Sequence, residues 1–131
     1  MKNNIRAGLV SVVWICSVCL VIYYSLIPGV EFPVDFWQAD KLYHFVSYCW
    51  LSVLPMIAYS DRKIALTASL SMVLLGVLIE ILQIFVPGRT FAMADIAANT
   101  LGVVLGIYNG GYLRRYLSSY GSFSLFKNIN Q

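Results

Sequence analysis

The sequence predicts an all-α membrane protein: a four-transmembrane-helix bundle with both termini cytoplasmic and an interfacial external loop between helices 1 and 2. Three observations predict this class. Of the 131 residues, 60% are hydrophobic and only 11% charged, and mean hydropathy is +0.75, outside the usual range of soluble domains. The apolar residues fall into four stretches, each near the roughly 20 residues a helix needs to cross the hydrocarbon core. Lys and Arg gather at alternate ends of those stretches. One domain over 1–113 and a polar, aromatic tail over 114–131 account for the whole length.

The first span is Ala7 to Ile27, preceded by Lys2 and Arg6. Its apolar core exceeds the roughly 7–15 residues of a signal peptide, and no small-residue cleavage site follows, so the segment is expected to be retained. Pro28 and Gly29 end it. Between Val30 and Ala39, Glu31 and Asp35 alternate with Phe32, Phe36 and Trp37, a mixture suited to headgroup level.

Asp40 reads as an N-cap whose carboxylate accepts from orphan backbone N–H groups. The second span then runs from Lys41 to Tyr59, with Pro55 as a candidate kink. Ser60-Asp61-Arg62-Lys63 is a tight polar turn. The third span, Ile64 to Val86, is interrupted by Gly76, Glu80 and Gln83 and stopped by Pro87-Gly88. The fourth runs from Phe91 to Leu113, and Gly102, Gly106 and Gly110 recur on one side of it. Small residues four apart let helix backbones approach where lipid gives no hydrophobic drive to associate. That face is read as a helix-packing seam.

Orientation follows from the basic residues. Lys2, Arg6, Arg62, Lys63, Arg114, Arg115 and Lys127 fall on one side, against Lys41 and Arg89 on the other. By the positive-inside rule the first side is cytoplasmic, which predicts a multi-pass protein of the cytoplasmic (inner) membrane. The formal charge of +3 is too small to argue for nucleic acid. Cys16, Cys19 and Cys49 lie in apolar stretches and show neither a disulfide framework nor metal-ligand spacing; they read as packing residues.

The polar residues inside the spans carry the functional reading. An ionisable group at membrane depth is costly, about 2.5–3.5 kcal/mol on insertion scales, so it is expected to face a protein interior or wet cavity. Helical periodicity places Lys41, His44 and Tyr48 on one face near the external end of the second helix, and Glu80 and Gln83 on one face at the external end of the third. Arg89 occupies the external turn. Asp95 and Asn99 descend the fourth helix on the face that continues into Gly102 and Gly106. Three helices thus aim polar groups at one outward crevice. The candidate ligand-binding set is Asp40, Lys41, His44, Tyr48, Glu80, Gln83, Arg89, Asp95 and Asn99. Bland roles compete for several: Asp40 as a cap, Tyr48 as packing, Gln83 and Asn99 as interhelical hydrogen bonds.

This arrangement resembles the VanZ-like family of small integral membrane proteins, named for an accessory factor in glycopeptide (teicoplanin) resistance. The residues that carry the resemblance are Ser25 and Pro28, Asp40-Lys41-x-x-His44-x-x-x-Tyr48, Glu80-x-x-Gln83, Arg89, and Asp95-x-x-x-Asn99-x-x-Gly102-x-x-x-Gly106. The resemblance implies a role at the cell envelope and supplies no reaction.

Three functions are compatible with these residues. The first is binding or handling of an anionic lipid head group or lipid-linked envelope precursor, with Lys41 and Arg89 holding phosphate or carboxylate; a lipoglycopeptide of the teicoplanin kind is a variant ligand. The second is a membrane-embedded hydrolase or transferase acting on a lipid phosphate, with His44, Glu80 and Asp95 as candidate catalytic groups. The third is a non-catalytic scaffold subunit docked on an envelope-enzyme partner. Membrane lipids are expected partners throughout. No ligand spacing along the chain makes the case for a metal, and no cofactor is indicated.

Overall fold

A computed structural model describes the backbone over residues 2–28 and 39–129, and side chains over 7–28 and 39–119. It contains four helices and, among the described residues, no strand: α1 (Lys2–Leu26), α2 (Ala39–Ala58), α3 (Arg62–Gln83) and α4 (Met93–Ile129). The expected loop with Glu31, Asp35 and Trp37 lies outside the described residues.

By length and composition, α1 over Ala7–Leu26 and α3 over Arg62–Gln83 are apolar enough to cross a membrane. α2 and α4 fall short of that measure, so composition establishes four helices but two candidate spans. The shortfall has a local cause. α2 carries Asp40, Lys41 and His44, and α4 carries Asp95, Asn99 and Asn109. The outer faces of these two helices are nonetheless apolar, with Leu42, Val46 and Trp50 exposed on α2, and Leu101, Val104 and Leu105 exposed on α4. Inside, Tyr48, Ser52, Asp95 and Asn99 are buried. Polarity is turned inward, the reverse of an ordinary soluble helix.

The most extensive helix interface is α2 against α4, and the glycine seam produces it. A Cβ added at Gly102 would fall on the Phe45 carbonyl oxygen, one at Gly106 on the Cys49 carbonyl oxygen, and one at Gly110 would lie 2.6 Å from Met56 Cβ. Only a missing side chain lets the two backbones come this close. Tyr48, Leu51, Met72 and Val103 form the core cluster where α2, α3 and α4 meet, with Trp14 and Val18 of α1 packed on its flank. α1 leans on α2 and, less, on α3. The Trp50 indole N–H donates to Ser17 Oγ at 3.1 Å, and Trp14 meets Tyr59 edge-on.

The boundaries depart from expectation in three places. Asp40 is not a cap but sits in the first turn of α2, behind Ala39, where an acidic side chain still complements the positive helix end. The cap falls at Asp61 instead, whose carboxylate accepts from the N–H groups of Lys63 at 2.7 Å and Ile64 at 3.3 Å. α4 continues past Leu113 as helix to Ile129. Buried Pro55 is accommodated within α2, which runs on to Ala58. At the end of the bundle that holds Arg62 and Lys63, the Arg114 guanidinium donates to the Ser60 carbonyl, so these basic residues share one end as the charge count required.

Candidate functional site

The opposite end holds the polar groups, and the fold brings them together from three helices. His44 enters one turn into α2, Glu80 lies in the last turn of α3 and Asp95 in the first turn of α4. Tight approach is again permitted by a glycine: a Cβ at Gly76 would meet Asn99 Nδ2 at 3.0 Å and Tyr48 Cε1 at 3.1 Å.

Within this cluster His44 Nε2 faces Glu80 Oε1 at 3.9 Å and Asp95 Oδ2 at 4.0 Å. On the other side of the ring, Nδ1 lies 3.1 Å from Asn99 Oδ1. An amide oxygen can only accept, so Nδ1 carries the hydrogen and donates. The Nε2 lone pair of the neutral ring therefore points at the two carboxylates. Glu80 is divided between two jobs. Its Oε2 accepts from the Ala92 N–H at 3.2 Å, satisfying an orphan donor where α4 begins, while its Oε1 has no hydrogen-bond partner. Asp95 Oδ1, Asn99 Nδ2 and the Tyr48 hydroxyl are likewise buried without one.

Beside this cluster lies a cleft of about 250 Å³, just under the size of small-molecule pockets, roughly 300–1,000 Å³. Leu20, Val21, Tyr24 and Ser25 of α1 form one wall, Tyr43, His44, Ser47 and Tyr48 of α2 another, and Gln83 and Arg89 close the end. His44 and Tyr48 belong to both cleft and cluster. Gln83 Nε2 donates to the Ser25 carbonyl at 3.0 Å and Arg89 to the Tyr24 carbonyl at 3.1 Å. These carbonyls end α1 and lack intrahelical partners, so both side chains fasten α1 to the rest of the bundle as well as lining the cleft.

The sequence-derived candidates thus divide. His44, Tyr48, Glu80, Asp95 and Asn99 converge; Gln83 and Arg89 border the cleft at the α1 end. Asp40 and Lys41 pair with each other, Nζ to Oδ2 at 3.3 Å, at a half-exposed position. Burial raises the Asp40 carboxyl, hydrogen bonds and charge from Lys41 with charge from His44 lower it, and the balance lies below its ordinary value. Sequence reasoning missed Ser47, Tyr43 and the α1 wall. Ser47 was accessible to it, since it stands three residues from His44 on a helix. The α1 wall was not, because nothing in the chain says which face of α1 meets its neighbours.

No curated protein and no solved structure matches the chain significantly. The profile of the VanZ/LLP1 family matches residues 5–112, a stretch that spans α1, α2, α3 and the part of α4 bearing Asp95, Asn99 and the glycine seam. The chain belongs to the VanZ/LLP1 family.

Proposed function

We propose that the protein is a four-span envelope membrane protein that binds an anionic lipid head group, or a lipid-linked envelope precursor, in the cleft between α1, α2 and α3. The observation that carries this reading is the make-up of the cleft: Arg89 and His44 at its polar end, Leu20 and Val21 along its wall. A guanidinium matches the planar, bidentate geometry of phosphate and carboxylate. Leu20 and Tyr24 are also exposed on the outer surface of α1, so the apolar wall continues onto a surface suited to an acyl chain. The inward turn of polarity on α2 and α4 supports four spans, and the gathering of Arg62, Lys63 and Arg114 at the far end supports a cleft on the non-cytoplasmic side of the inner membrane.

A lipoglycopeptide of the teicoplanin kind joins an acyl chain to a polar head and fits the same description, which would make altered susceptibility to such a drug a consequence of binding. Lys41 is less suited to hold the ligand than Arg89, being paired with Asp40. Native mass spectrometry of protein extracted in mild detergent tests the reading. Wild type retains anionic lipid, and Arg89→Ala loses it. Ser17→Ala, which removes a different α1–α2 contact, retains it. An unchanged lipid profile in Arg89→Ala overturns the proposal.

A further inference from the structure

The convergence of His44, Glu80 and Asp95 goes beyond what a lipid head group in the cleft requires. Glu80 is 0% and Asp95 6% exposed, and each aims one oxygen that has no hydrogen-bond partner into the same small space. The gaps between His44 Nε2 and these carboxylates, 3.9 and 4.0 Å, exceed hydrogen-bond length. The groups therefore do not bond one another; they surround something. Two carboxylates buried together without partners are strongly unfavourable, so the arrangement calls for positive charge between them.

The geometry points to a divalent cation held by His44 Nε2, Glu80 Oε1 and an Asp95 carboxylate oxygen. One ligand atom from each residue lies within 4.8 Å of the others. An ion centred among such atoms sits about 2.5 Å from each, at calcium range, and a closure of a few tenths reaches zinc distances. The donor set decides further. An imidazole nitrogen beside two carboxylates suits Zn²⁺ or Mn²⁺ better than Ca²⁺ or Mg²⁺, which favour all-oxygen shells. His44 is prepared for the task, because Asn99 Oδ1 fixes the hydrogen on Nδ1 and leaves the Nε2 lone pair free, the arrangement found around metal-bound histidines. Sequence spacing could not reveal such a site, since each ligand comes from a different helix.

The test is independent of any lipid. The full chain, purified in detergent and stripped with chelator, is dialysed against Zn²⁺ and against Mn²⁺, and bound metal is measured by mass spectrometry alongside thermal unfolding. One equivalent of at least one of the two metals is expected, with a rise in unfolding temperature. Glu80→Gln, which keeps an acceptor for the Ala92 N–H, and Asp95→Asn each lose the binding while folding; Asn99→Ala weakens it about 10- to 100-fold. If one carboxamide variant does not fold, the other decides. No bound Zn²⁺ or Mn²⁺ in wild type overturns the site. So does binding that survives both carboxamide variants, or that vanishes in Cys16→Ser/Cys19→Ser, which would mark a thiol contaminant site.

Discussion

Alanine at Gly102 probes the link between the helix seam and the polar cluster. The added Cβ would strike the Phe45 carbonyl oxygen and lie 3.0 Å from the Cys49 nitrogen. Both are backbone atoms of α2, so no rotamer change relieves the clash, and α4 must withdraw by about 1 Å to reach ordinary contact. Overpacking of this kind costs about 1–3 kcal/mol. The withdrawal has a second effect, because Asn99 stands one turn above Gly102 on the same face. Its contact with His44 Nδ1, 3.1 Å in the native packing, would stretch toward 4 Å and cease to be a hydrogen bond. Gly111→Ala is the matched comparison: it lies on the same helix, yet its Cβ would meet nothing closer than Met56 Cε at 3.7 Å. That substitution should be neutral or stabilising by up to about 1 kcal/mol through helix propensity. Reversible unfolding in detergent micelles measures both. Equal tolerance of Gly102→Ala and Gly111→Ala would refute the close α2–α4 approach.

Other outcomes follow from single contacts. Asp61→Ala removes the cap of α3, whose carboxylate serves the Lys63 and Ile64 N–H groups, and should cost about 1 kcal/mol in unfolding free energy without changing ligand retention. Gln83→Leu leaves the Ser25 carbonyl without its donor; protease accessibility of α1 should rise, and unfolding free energy fall by about 1–3 kcal/mol.

Much of this was legible in the chain, and what was not has physical reasons. Helices α1 and α3 could be read from apolar length alone. The convergence of His44, Glu80 and Asp95 was inferable because each sits near one end of its helix, and alternating helix direction puts those ends together. The seam at Gly102, Gly106 and Gly110 was legible as small residues four apart, though not its partner: that Phe45, Cys49 and Met56 lie opposite depends on tertiary register. The start of α2 was misplaced because Asp40 satisfies both a cap and a first-turn preference, and its neighbour Lys41 takes the carboxylate as an ion pair. Arg89 and Gln83 were read only as possible ligand contacts. Their bonds to Tyr24 and Ser25 are to backbone carbonyls, which leave no trace in residue identity.

The lipid reading is tested most directly by photo-crosslinking with a bifunctional anionic phospholipid whose reactive group lies near the head, followed by mapping of the adducts. Attachment concentrated on Tyr43, Ser47 and Tyr24, and reduced in Arg89→Ala, is the predicted result. Adducts spread over Leu101, Val104 and Tyr108 on the exposed face of α4, with the cleft unlabelled, would contradict it.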